Sequence, residues 1–482
     1  MEIELELGGG AHRRRRGAPG ASVTVTVLKA DTGVTELTAP PSRVGTNGEW
    51  KVMLPPHAAG TGFTLTATAH GVSASATAGG VRTTAKITLE RVAFGDVWFC
   101  SGQSNMELGL YYTFTRNESL AAIASNKYNN IRIMHFDHNP LEAPTFVTNG
   151  SIATNYPDNS SWLTPAAAMQ MKKSGCRGDN CQSELDGFSA ACWYFGESLT
   201  NRMMADLANS GGVAEPVPIG LIESAFGGTC IESWLSQDAQ LGCSNITCTS
   251  NQSWPYTKDT QAACAAVKSA GSSAGSNAEL YNGMVLPFVN MTVKGWLWYQ
   301  GENNLPYMAG NVLDKTGYAC LLPTMIANWR QIWSVEPGTT DHVAPFGIVV
   351  LADSTDEGWG NNVPQMHWAQ SANHGVAPNS HLPGTFLATA HDLADPWADG
   401  CQQGAKCCIS TGEPLDPRCD RAGHDSGWLQ PGGAGSEPTT HTMGVTIHPR
   451  VKRQVGSRLA QAAWSLVCVP DESSAAVLRV AS

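Results

Sequence analysis

Ser104 stands in the stretch Gly-Asp-Val-Trp-Phe-Cys-Ser-Gly-Gln-Ser-Asn-Met (residues 95–106), where four apolar residues run into a turn of small ones. A hydroxyl mounted that way suits nucleophilic attack. Val97, Trp98, Phe99 and Cys100 fit a buried strand, and Ser101 and Gly102 permit a sharp turn after it. A helix opening near Ser104 aims unsatisfied N–H groups and the positive end of its dipole at an oxyanion formed there. Alone, a glycine-x-serine turn is more often an ordinary helix cap.

Three further segments supply what a serine esterase needs besides its nucleophile. Pro218 to Trp234 reads as a strand followed by a flexible Gly227-Gly228-Thr229 turn, and Lys294 to Asn304 as another strand ending in a polar, glycine-containing loop. Ile447-His448-Pro449-Arg450 opens an amphipathic stretch with Val451, Val455, Leu459, Ala462 and Leu466 at helical spacing. Pro449 fits a first helical turn and so sets His448 at the helix's N-terminal edge. There the dipole favours neutral imidazole, the form a general base requires.

With these four segments in place, the chain resembles the sialate O-acetylesterase family of the SGNH (GDSL-like) hydrolases. The carriers are Cys-Ser-Gly-Gln-Ser-Asn-Met around Ser104, Gly-Gly-Thr-x-Ile-Glu-x-Trp from Gly227, Trp-Tyr-Gln-Gly-Glu-x-Asn from Trp298 and Ile-His-Pro-Arg around His448. The resemblance covers most of residues 95 to 470. It implies a three-layer α/β/α hydrolase with a five-stranded, mostly parallel sheet, catalytic loops lying at the strands' C-terminal ends. It implies Ser104 as nucleophile, His448 as base and an acetyl-enzyme intermediate that releases acetate. The oxyanion hole it implies combines the Ser104 N–H, an N–H from Gly227 or Gly228, and a side-chain amide from Gln300 or Asn304. Glu302 then braces this loop or orients the histidine.

The third triad member departs from the family pattern. Relatives carry an aspartate two residues before the histidine, where this chain has Thr446. Asp395 or Asp392, from the stretch Asp392-Leu393-Ala394-Asp395-Pro396, is expected to fold back onto His448 Nδ1; a serine–histidine dyad is the alternative. Arg450 is the candidate to meet a substrate carboxylate, against the plainer expectation of a solvated charge.

The chain has 482 residues, 42% of them apolar, enough for one large α/β domain and a smaller one. A formal charge of −11 argues against nucleic acid or an anionic membrane as partner. Residues 1–94 alternate in short β-like runs and are expected to form a small N-terminal β-sandwich module. Residues 95–470 form the catalytic domain, with a Gly-, Pro- and Cys-rich insertion over 397–445, and residues 471–482 a tail. Arg13 to Arg16 read as a solvated basic run.

Fourteen cysteines without zinc-site spacing, and six Asn-x-Ser/Thr sequons (Asn117, Asn149, Asn159, Asn245, Asn251, Asn290), point to a disulfide-bonded, glycosylated protein. Met1 to Gly10 has no apolar signal segment. A secreted or lysosome-like protein whose signal is not visible in this chain is the expectation, a cytoplasmic one with reduced thiols the alternative. The sequence thus points to a serine esterase needing no metal or cofactor that removes O-acetyl groups from carbohydrate, 9-O-acetylated sialic acid first. An acetylxylan or other polysaccharide acetylesterase, or a catalytically silent carbohydrate-binding protein on the same fold, are the other expectations.

Overall fold

The computed structural model describes residues 2–3, 19–46, 50–72, 82–141, 143–144, 162–172, 183–209, 215–243, 278–305, 309–353, 363–395 and 447–467. The insertion over 397–445, the tail, Arg13 to Arg16, Thr446 and four of the six sequons lie outside them.

The N-terminal part is antiparallel β. Strands β1 (Glu2–Ile3), β2 (Ser22–Lys29), β3 (Thr35–Thr38), β4 (Ser42–Arg43), β5 (Val52–Met53), β6 (Gly60–Val72) and β7 (Arg82–Phe94) form two sheets. One pairs β1 with β5; the other runs β3-β2-β6-β7, with β4 also on β2. Valine alternation sets the register: Val23, Val25 and Val27 are buried with Phe63, Leu65 and Phe94 in a small core of their own.

The larger part is built on a six-stranded sheet. Its strands are β8 (Asp96–Gly102), β9 (Ile131–His135), β10 (Ile219–Ala225), β11 (Gly295–Tyr299), β12 (Phe346–Val350) and β13 (Thr385–Thr389), in the order β13-β12-β11-β8-β10-β9. Every pairing is parallel. The resemblance implied five strands, mostly parallel; a sixth is present, and the pairings among the six are all parallel. β8, β11 and β12 are near-continuous apolar runs, as strands buried on both faces must be.

Adjacent residues of β8 point to opposite faces. Trp98 packs on Phe195 of one long helix, α2 (Ala190–Asn209), counting α1 as the single turn Ser104–Glu107. Phe99 packs on Trp329 and Trp333 of another, α3 (Gly317–Trp333). The two long helices therefore take opposite faces of the sheet. A final helix, α4 (Lys452–Val467), lies against α2 so closely that a Cβ on Gly456 would fall 2.5 Å from Tyr194 Cβ.

Candidate active site

The sheet brings three of the four sequence segments to one edge. β8, β10 and β11 are neighbours and end at Gly102, Ala225 and Tyr299, so the Ser104 turn, the Gly227-Gly228 turn and the Gln300–Asn304 loop leave side by side. Strand order reverses around β8, which is where open parallel sheets place their sites. Gly102 makes the turn possible. Its φ is +145°, and a Cβ there would lie 2.1 Å from Tyr299 O.

The fourth segment arrives from beyond β13. His448 Nε2 lies 2.8 Å from Ser104 Oγ, a hydrogen bond between groups 344 residues apart in sequence. Ile447 to Arg450 precede α4, whose first helical residue is Lys452, so His448 does not sit on the helix's edge. Its imidazole is kept neutral by other means. Burial, then the Lys452 charge, push its pKa down to about 4, while Glu107 pulls it the other way. The apolar stripe of α4 also differs from the expected one: Val455, Leu459, Ala460 and Ala463 are buried, whereas Leu466 is exposed.

Neither aspartate reaches the histidine. Asp395 is buried and bonded to Arg450, from Nε at 2.6 Å and Nη2 at 3.1 Å, with the Arg450 N–H at 3.3 Å. Asp392 is exposed and forked to Arg458 at 2.6 and 2.7 Å. His448 Nδ1 is buried without a hydrogen-bond partner among the described residues. Both expectations for the third triad member are thus corrected, because an arginine on the His448 side takes each carboxylate. Arg450 is corrected as well: buried, paired with Asp395 and stacked 4.5 Å from the Phe114 ring, it is not presented to a substrate.

The amides of the β11 loop are also distributed differently from expectation. Gln300 and Asn304 are wholly buried and spent on each other and on the second motif. Gln300 Nε2 donates to Thr229 O at 3.1 Å and to Asn304 Oδ1 at 2.7 Å; Asn304 Oδ1 also accepts from the Ile231 N–H, and Asn304 Nδ2 donates to Glu232 Oε2. Glu232, buried, has its pKa pushed up to about 7 by desolvation. Asn303, not among the amides expected at the oxyanion, is half-buried, and its Oδ1 accepts from Gln103 Nε2 at 2.7 Å. Gln103 Oε1 in turn accepts from the Asn303 and Gly301 N–H groups. Three amides within five residues are equivalent in sequence, and only the fold separates the structural pair from Asn303.

Of the two glycines, Gly227 has its N–H bonded to Glu107 Oε2 at 2.6 Å. Gly228, with φ +73°, has nothing within 4 Å of where a Cβ would stand. Glu107 also meets His138 Nε2 at 2.9 Å, and the His138 ring stacks on Phe226 at 3.7 Å. Glu302 accepts from Asn105 Nδ2, and Asn105 ties on to Ile447 O and Lys452. Glu107, Asn105 and Lys452 were missed in the sequence: Glu107 and Asn105 flank Met106 in the serine motif itself, and Lys452 reads as an ordinary solvated charge.

A serine and a histidine in contact at the C-terminal edge of a parallel α/β sheet form the arrangement on which serine hydrolases run. Comparison with known proteins makes the relationship specific. The chain is 31% identical over 398 residues to sialate O-acetylesterase of Rattus norvegicus, covering 79% of this chain and 64% of that protein. It is 31% identical over 387 residues to the Homo sapiens protein of the same name, covering 79% and 61%. The chain is a relative of the sialate O-acetylesterases, and it spans less than two thirds of the length of these two. A carbohydrate acetylesterase from Xanthomonas citri shares the fold, with a TM-score of 0.55 and 23% identity over 93% of this chain and 69% of that one. No protein-family model matches the chain.

Proposed function

We propose that this protein is a serine esterase that removes O-acetyl groups from carbohydrate through an acetyl-enzyme intermediate, on a three-layer SGNH-type fold. The observation that carries the proposal is the 2.8 Å contact between Ser104 Oγ and His448 Nε2 at the sheet's C-terminal edge. Ser104 Oγ attacks the acetyl carbonyl while His448 Nε2 takes its proton. The oxyanion is received by the Ser104 N–H, the Gly228 N–H and the Asn303 amide, since Gly227, Gln300 and Asn304 are committed elsewhere. His448 then delivers that proton to the departing sugar oxygen as its bond to the acetyl carbon breaks, which leaves the acetyl on Ser104 and the sugar with a free hydroxyl. Water, deprotonated by the same imidazole, attacks the acetyl-serine and frees acetate.

Sialic acid acetylated at O-9 is the first substrate to test, on the strength of the relatives' names. A neutral polysaccharide such as acetylated xylan is the second reading, favoured by one observation: the Glu107 carboxylate stands beside Ser104, while Arg450 is tied up with Asp395. Residues 1–94 are assigned to a β-sandwich module that supports the hydrolase, residues 95–470 to the catalytic domain, and the protein to a secreted or lysosome-like compartment where disulfides and glycans form.

The test is acetate release by wild type and Ser104→Ala on 9-O-acetylated sialic acid, acetylated xylan and an aryl acetate. Loss of at least about a thousandfold in the variant is expected. Release from the sialic acid ester at a higher kcat/KM than from xylan selects the first reading, and the reverse ratio the second. Folded wild type that releases acetate from none of them overturns both in favour of a silent binding protein.

A further inference from the structure

His448 Nδ1 meets no hydrogen-bonding group among the described residues, and the residue that holds its segment is the neighbour of the nucleophile. Asn105 is buried. Its Nδ2 donates to Ile447 O at 2.7 Å and to Glu302 Oε1 at 2.5 Å, and its Oδ1 accepts from Lys452 Nζ at 2.5 Å. Ile447 precedes the histidine, and Lys452 opens the helix that follows it. One amide therefore grips the histidine segment on both sides and ties it to the turn that carries Ser104.

Lys452 is 0% exposed, an expensive position for an ammonium unless its surroundings answer the charge. Those surroundings come from four elements. Asn105 faces it from α1, Glu302 from the β11 loop, and Asp395, already shared with Arg450, from beyond β13. The Tyr299 ring lies 4.9 Å from Nζ. Glu107 acts on the histidine with the opposite sign, its negative charge favouring the proton.

From this geometry we infer that Asn105 and Lys452 are positioning residues that do the work of a triad acid, none of which meets His448 among the described residues. Asn105 fixes the imidazole's backbone relative to Ser104, and the Lys452 charge opposes a proton on His448, keeping it in the base form. The inference rests on the Ser104–His448 reading of the site. It is electrostatically the reverse of an aspartate-held triad, in which a negative charge favours imidazolium. Among the described residues that stabilisation comes from Glu107, joined by the oxyanion formed in the reaction. Burial lowers Lys452 to about 7, with Glu302 and Asp395 pulling it back, so the cation is present throughout the acidic range in which His448 titrates.

The experiment is an NMR titration of the His448 ring, assigned by its loss in His448→Asn, in wild type and in Lys452→Met. The readout does not need an active enzyme. Wild type is expected to titrate well below 6.5, and Lys452→Met to raise the midpoint by about one pH unit. Asn105→Ala, by loosening the segment, is expected to lower kcat on an aryl acetate about ten- to a hundredfold with KM within twofold. Should Lys452→Met not fold, Lys452→Gln keeps a donor for Asn105 and tests the charge alone. A wild-type midpoint at or above 6.5, or a folded charge-free variant that titrates like wild type, overturns the inference. A moved midpoint in a protein inactive on every ester would overturn the esterase reading and leave the electrostatics standing.

Discussion

A buried imidazole that must take a proton from Ser104 is a weak base, and this sets a measurable pH dependence. The pKa of His448 is pushed down to about 4 by desolvation first and by Lys452 second. The working form is neutral and exists above that value, so kcat/KM should climb as pH rises through about 4 and owe nothing further to this group between 5 and 8. An exposed histidine would instead give an acid limb near 6.5. Rates on an aryl acetate from pH 3.5 to 8 decide between them. At this scale the nucleophile and the base were legible because each demands an unusual local setting: small residues around Ser104, a proline after His448. The acid was not, because a carboxylate announces nothing about which cation will claim it. Arg450 takes Asp395 and Arg458 takes Asp392, and both arginines follow the histidine, at two and ten residues. Buried Lys452 was hidden for the opposite reason, since pattern alone treats every lysine as solvated.

The elements that carry the site meet where side chains cannot fit. Gly102 ends β8 with φ +145°, its Cβ position 2.1 Å from Tyr299 O of the neighbouring strand. Gly102→Ala combines a left-handed backbone penalty with overlap against a carbonyl, and is expected to lower stability by about 2–5 kcal/mol. Urea denaturation with a full transition measures it, and a change below about 0.5 kcal/mol would contradict the close approach. The strands β8, β10 and β11 were readable as apolar runs ending in glycine-bearing turns. The sixth strand was not anticipated, because the family pattern supplied the strand count and periodicity did not. Inside the β11 loop, Gln300, Asn303 and Asn304 are chemically alike. Their division of labour follows from Thr229 O, Ile231 N and Glu232 converging on two of them, a fact that belongs to the meeting of the loops that leave β10 and β11 on either side of β8.

For the whole molecule, a covalent bond ties the serine's strand to the long helix on which the histidine's helix packs. Cys100, four residues before Ser104, is bonded to Cys192 of α2, 92 residues away in sequence. α2 in turn holds α4 beyond the histidine: Arg453 Nη1 donates to Glu197 Oε1 at 2.5 Å, and Ser198 Oγ meets Ser457 Oγ at 2.9 Å. A second disulfide ties Cys243 to Cys320 at the start of α3. Cysteine number and spacing foretold bridging but not its place: Cys100–Cys192 crosses the buried core between sheet and helix. A cross-link closing a loop of that length restricts the unfolded chain, so Cys100→Ala/Cys192→Ala is expected to cost about 2–5 kcal/mol. Urea denaturation of that double variant beside wild type measures the loss. Mass spectrometry after alkylation with and without reduction provides the complementary check, in which at least these four thiols should be protected in protein made in its natural compartment. Alkylation of all fourteen cysteines without reduction would remove the disulfides and, with them, the case for an oxidising compartment. It would also leave β8 and α2 held together by packing without a covalent bond.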